Sequence, residues 1–182
     1  MAEKIESNGL NHKVVLVHGD MGSRDSGGAV LAEKLREKNI CTDEIRLTPY
    51  YSFNDKVEEL KDIFKEKRLV PERTTVLGVD IGGTIALSTV LKHEIDMRQV
   101  LMVSSPVENK FLPDKKFGKE FRTSFKHFGK IYPEKVEELD SLFKQKGLDK
   151  FEHVPTDFNP DDIEAVSENI FSHIENGLSK LN

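Results

Sequence analysis

The stretch Thr75-Val76-Leu77-Gly78-Val79-Asp80-Ile81-Gly82-Gly83 (75–83) reads as a strand, a tight turn and the start of a helix. Its first half is a largely β-branched run without polar alternation, the pattern of a parallel strand covered on both faces. Small residues then bracket a single carboxylate in the order Gly-x-Asp-x-Gly. A side chain carried on so sharp a turn projects away from the sheet, and a helix beginning behind it favours negative charge. Asp80 is the first candidate functional residue.

Strands and helices alternate on both sides of this stretch. Val14-Val15-Leu16-Val17 is a second unalternating apolar run, ending at His18-Gly19, and a loop with Gly22, Gly27 and Gly28 follows. Val30, Leu31 and Leu35 lie at helical spacing between Ala29 and Lys38. Ile45, Leu47 and Tyr50 suggest a strand closed around Pro49. Val57, Leu60, Ile63 and Phe64 mark an amphipathic helix that Pro71 ends. After the turn, Ile85, Leu87 and Leu91 continue a helix, and Val100 to Val103 form a strand ending at Ser104-Ser105-Pro106. Such alternation requires crossover connections, hence an α/β fold with a mostly parallel sheet between two helical layers. Ligands in such sheets bind at the carboxyl ends of the strands, where both glycine turns and Ser104 fall. Beyond Pro106 the alternation weakens. Val136–Phe143 and Ile163–Leu178 read as helices, with short or absent strands between them. Residues 1–12 read as a loose polar leader and 13–182 as one domain.

The composition sets the class. A chain of 182 residues with 37% hydrophobic and 32% charged residues and a net charge of −5 excludes a disordered low-complexity protein. Folding at this length removes roughly 70% of the unfolded surface from water, enough for a core. The single cysteine, Cys41, permits no internal disulfide and suits a reducing compartment. No apolar run approaches the roughly 18 residues of a membrane span, and the N-terminus lacks the apolar region of a signal peptide. The expected location is cytoplasmic. A pI near 5.7 argues against general nucleic-acid binding. No cofactor and no metal is expected, a small molecule is the expected partner, and oligomeric state stays open.

Gly-x-Asp-x-Gly has the spacing of a nucleophile elbow, and Val15-Leu16-Val17-His18-Gly19 has the look of an oxyanion-loop strand. On these motifs the chain resembles the α/β-hydrolase superfamily, above all its small single-domain members, over roughly residues 13–106. The resemblance implies a three-layer sandwich with a short helical cap within 107–130. It implies Asp80 as nucleophile in place of the usual serine, as in the haloalkane dehalogenase and epoxide hydrolase branches. A carboxylate attacking an sp3 carbon gives an alkyl ester that water can hydrolyse, whereas attack on an ester carbonyl gives an anhydride. Epoxide or carbon–halogen substrates are therefore expected ahead of esters.

The same resemblance implies His153 as general base, since Pro160 and a helix start follow it. The window that usually supplies the acid, Phe125 to Lys130, holds no carboxylate, so Glu108 and then Asp114 are the candidates. His18, Gly19, Asp20, Ile81 and Ser104 are expected to line the oxyanion and substrate site. The halide-stabilising Asn and Trp of the dehalogenase branch correspond to Asp20 and Ile81, and 107–130 holds no cap tyrosine. Two alternatives stay open. One is a catalytically degenerate hydrolase fold serving as a binding module. The other is a metal-dependent protein resembling the hydrogenase-maturation peptidases, suggested by Asp20-x4-Asp25-Ser26-Gly27-Gly28. Lysines and phenylalanines interleave between 110 and 130, and Phe117, Phe121, Phe125 and Phe128 recur at helical spacing. They predict a cap helix with one aromatic stripe, usable as a lid or as a contact for an anionic surface.

Overall fold

In the computed structural model, residues 12–19, 27–156 and 163–179 are described. Six strands form one parallel sheet: β1 (Lys13–Val17), β2 (Cys41–Ile45), β3 (Thr74–Val79), β4 (Gln99–Val103), β5 (Ser124–Gly129) and β6 (Phe151–Pro155). Their spatial order is β2-β1-β3-β4-β5-β6, and every neighbouring pair is parallel. The helices are α1 (Gly27–Glu37), α2 (Phe53–Glu66), α3 (Ile81–Lys92), α4 (Pro133–Gln145) and α5 (Ile163–Ser179). Ser52 starts α2 through a capping box, its hydroxyl accepting from the Asp55 N–H while the Asp55 carboxylate accepts from the Ser52 N–H.

The period of two along each strand divides the core into two layers. Val15, Val17, Val76, Val100, Met102 and Phe125 face α2, α3 and α4. Val14, Leu16, Leu77, Val79, Leu101, Val103 and Phe128 face α1 and α5. Phe125, Phe128 and Phe143 are fully buried, each contributing about 1.5–3 kcal/mol of transfer free energy. Residues 82–91 of α3 are buried all round, because α2 lies over the side that the sheet leaves open. Among the described residues no helix is long and apolar enough to cross a membrane.

Three expectations need correction. β2 ends at Ile45 and does not run to Tyr50, which is 91% exposed in the turn that Pro49 begins. Two full strands, β5 and β6, follow Pro106 where little was expected. The helical cap is absent: between β4 and β5 there is a single 3-10 turn (Asn109–Phe111) in an otherwise irregular loop. Phe117 and Phe121 pack in that loop against Phe125, with ring centroids 4.9 and 6.3 Å apart in succession. Phe125 and Phe128 belong to β5, where an odd spacing sends them to opposite layers. Steps of four suit a helix stripe and one strand face equally. Only the last step of three tells them apart.

Candidate active site

β3 delivers the chain to Asp80 at the carboxyl edge of the sheet. The Asp80 N–H still donates to the Val103 carbonyl at 2.9 Å, extending the β3–β4 ladder by one step. The backbone then turns through φ 52°, ψ −132° at Asp80, a region that costs a non-glycine residue about 1–3 kcal/mol. The Gly83 N–H donates to the Asp80 carbonyl at 3.1 Å and opens α3. An aspartate at this position ordinarily caps its helix with the side chain; the Asp80 carboxylate makes no such cap and is exposed.

The glycines around Asp80 make this turn possible. A Cβ on Gly78 would collide with the Gly83 backbone, and one on Gly82 with the Val17 and His18 carbonyls. A Cβ on Gly19 would collide with the Val79 carbonyl and lie 2.8 Å from the Asp80 Cβ. One on Gly83 would collide with the Ser105 Oγ. β1, β3 and α3 thus meet backbone to backbone, and the Ser105 side chain after β4 packs onto the Gly83 backbone.

The segment after β4 leads to the imidazoles. Ser104, half-buried at φ 51°, donates its N–H to the Phe128 carbonyl at 2.8 Å. The Ser105 carbonyl lies 2.9 Å from the His127 Nε2. His127 on β5 and His153 on β6 are register partners, and their Nδ1 atoms are 3.2 Å apart. Burial pushes the His127 pKa down, opposed by the Ser105 carbonyl and reinforced by His153. Burial likewise lowers His153, against a hydrogen bond to the His127 backbone.

The other expected residues lie as follows. His153 sits within β6 rather than in the loop before the last helix. Ile81 is half-buried and packs on the core layer beneath α2. His18 is buried, and its Nε2 lies 2.8 Å from the Glu44 carboxylate, which Arg36 approaches to 2.7 Å. Desolvation would raise the Glu44 pKa, but the Arg36 and His18 hydrogen bonds outweigh it and hold it below the usual value. Gly28 opens α1 against the His18 ring; a Cβ there would lie 2.8 Å from its Nδ1. His18 is therefore wedged under α1. Glu108 is exposed and pairs with Lys110 at 2.8 Å, and Asp114 is exposed. Among the described residues no carboxylate hydrogen-bonds His127 or His153. Asp20, Asp25 and the rest of 20–26 lie outside the described residues, as does Pro160.

His127 is the residue that sequence reasoning passed over. The signal was a shared tripeptide pattern: Lys126-His127-Phe128 and Glu152-His153-Val154 carry charge, histidine and apolar residue in the same register. Lys126 and Glu152 pair at 2.8 Å. No group of three or more His, Cys, Asp or Glu capable of holding a metal occurs among the described residues.

The sequence matches no family model and no curated protein. Solved structures do resemble the fold. An esterase/lipase from an uncultured bacterium superposes with a TM-score of 0.66 at 13% identity, over 94% of this chain and 78% of that one. Est1E from Butyrivibrio proteoclasticus gives 0.61 at 11%, over 92% and 88%. The ydeN gene product from B. subtilis gives 0.61 at 13%, over 90% and 99%. With its six parallel strands, flanking helices and these structural neighbours, the chain has the α/β-hydrolase fold.

Proposed function

We propose that this protein is a hydrolase in which Asp80 attacks the sp3 carbon of a small epoxide or halogenated substrate. The observation that carries the reading is the backbone at Asp80, a non-glycine residue held at φ 52°, ψ −132° with an exposed carboxylate. Strain of this kind persists where a projecting side chain is used, and glycine would relieve it.

In the first step an Asp80 carboxylate oxygen forms a bond to the substrate carbon. The carbon–halogen or ring C–O bond breaks, and its electron pair leaves as halide or as an alkoxide that takes a proton from water. In the second step His153, on the third strand across the sheet from β3, accepts through a chain of waters the proton of the water molecule whose oxygen attacks the carboxyl carbon of the alkyl ester. The bond from that carbon to the alkyl oxygen then breaks, the alcohol departs with the proton returned by His153, and the Asp80 carboxyl releases the water's second proton to solvent, which restores the carboxylate. Burial keeps His153 below its usual pKa, so the imidazole is neutral and able to act as a base at neutral pH. The test is the intact mass of His153→Gln after incubation with haloalkanes, epoxides and activated esters. An adduct mapped to Asp80 supports the reading and its mass names the substrate class. An unmodified variant beside an inert wild type rejects it.

A second reading, a binding module without turnover, is favoured by one observation. Glu108, the expected acid, is exposed and engaged by Lys110. Ligand-dependent thermal stabilisation without product would favour it.

A further inference from the structure

We infer that His127 is the positioning residue for His153, holding the base in the tautomer whose Nε2 carries the lone pair. The inference rests on the hydrolase reading above for its catalytic meaning, and on geometry alone for the tautomers. A carbonyl oxygen only accepts, so the contact at 2.9 Å between the His127 Nε2 and the Ser105 carbonyl requires a hydrogen on that nitrogen. A neutral His127 therefore has its lone pair on Nδ1. That nitrogen lies 3.2 Å from the Nδ1 of His153, and two facing nitrogens form a hydrogen bond only if one is protonated. The hydrogen is then on the His153 Nδ1, beside the His127 backbone that also hydrogen-bonds this ring, and its Nε2 is left bare.

The ring arrangement agrees. The centroids are 5.3 Å apart with the ring planes 29° from parallel, so the rings lie side by side and the 3.2 Å Nδ1–Nδ1 approach is the contact that joins them. The order Ser105 carbonyl, His127, His153 thus replaces the carboxylate that orients the base of a hydrolytic triad. It differs in one respect. A carboxylate also stabilises the imidazolium that forms during reaction, whereas a neutral imidazole only orients. His127 is 3% exposed and His153 is half-buried, so the charge stays on His153.

Long-range proton–nitrogen NMR correlations on the full chain, labelled with 15N in histidine, test the assignment without any substrate. The wild type should show His127 protonated at Nε2 and His153 protonated at Nδ1. In His127→Leu, His153 should lose its fixed Nδ1–H form, whereas His127→Asn, with a carbonyl oxygen in reach, should keep it. Finding His153 in the Nε2–H form in the wild type overturns the proposal, and this result needs no variant to fold. An unaltered tautomer in a folded His127→Leu also overturns it. Once a substrate is in hand, His127→Leu should lower kcat about 10–100-fold at unchanged KM, and His127→Asn should restore most of it. Correct tautomers in a protein that forms no adduct would remove the hydrolase reading and leave the assignment standing.

Discussion

Acidification should unfold this protein in part through His12, at the opposite end of the sheet from Asp80. His12 is 9% exposed. Its Nε2 lies 2.9 Å from the Thr75 Oγ1, a hydroxyl that accepts from the Gln99 Nε2 at 3.0 Å, and its Nδ1 is buried with no partner. Burial first, and the Arg98 guanidinium second, lower its pKa from 6.5 to about 4. The folded state therefore favours the neutral ring, and the unfolded chain binds the proton more readily. Stability from this residue is complete above about pH 6.5, declines as the pH falls, and is lost below about 4. At about 1.4 kcal/mol per pH unit, the whole loss is about 3 kcal/mol. With a urea slope of about 2 kcal/mol/M, that is a midpoint change of about 1.5 M. Urea unfolding of the wild type and His12→Gln between about pH 7.5 and about pH 4 isolates the contribution, because groups common to both chains cancel. The wild type should lose its advantage over the variant by about that amount on acidification. A difference between the two that is independent of pH would refute the reasoning.

Replacing Gly83 by Ala drives a methyl into the Ser105 Oγ and should cost about 1–3 kcal/mol in urea unfolding. Adding Ser105→Gly should recover most of that loss, and its failure to do so would place the clash elsewhere. Asp80→Gly should raise stability by about 1 kcal/mol through relief of the positive φ while abolishing the covalent adduct; a destabilised variant would contradict the strain assignment. Turnover should hold at neutral pH and fall in acid with a midpoint below 6.5, because burial lowers His153. A midpoint above neutrality would exclude His153 as the base.

β1, β3 and β4 are legible in the sequence because they are central strands, apolar on both faces. β5 and β6 are not, because their polar residues pair across the strands: Lys126 with Glu152, and His127 with His153. Each charge removes one position from the apolar pattern, and the residue that balances it lies far along the chain. The phenylalanines compound the difficulty, since steps of four satisfy both periods. Asp80 is legible because its glycine neighbours are local. His127 is not, since it stands in the window where resemblance called for a carboxylate, and its role depends on a ring from another strand and a carbonyl from the segment after β4.

The glycine junction around Asp80 has a consequence for redesign. Gly19, Gly78, Gly82 and Gly83 bring main chain against main chain, so the course of the turn is set by the neighbours of position 80 rather than by its occupant. Architecture and chemistry are therefore separable at this point. A serine grafted in place of Asp80 would inherit the same frame and the same outward aim, changing the reactive group without moving the scaffold. The surrounding glycines leave no such freedom.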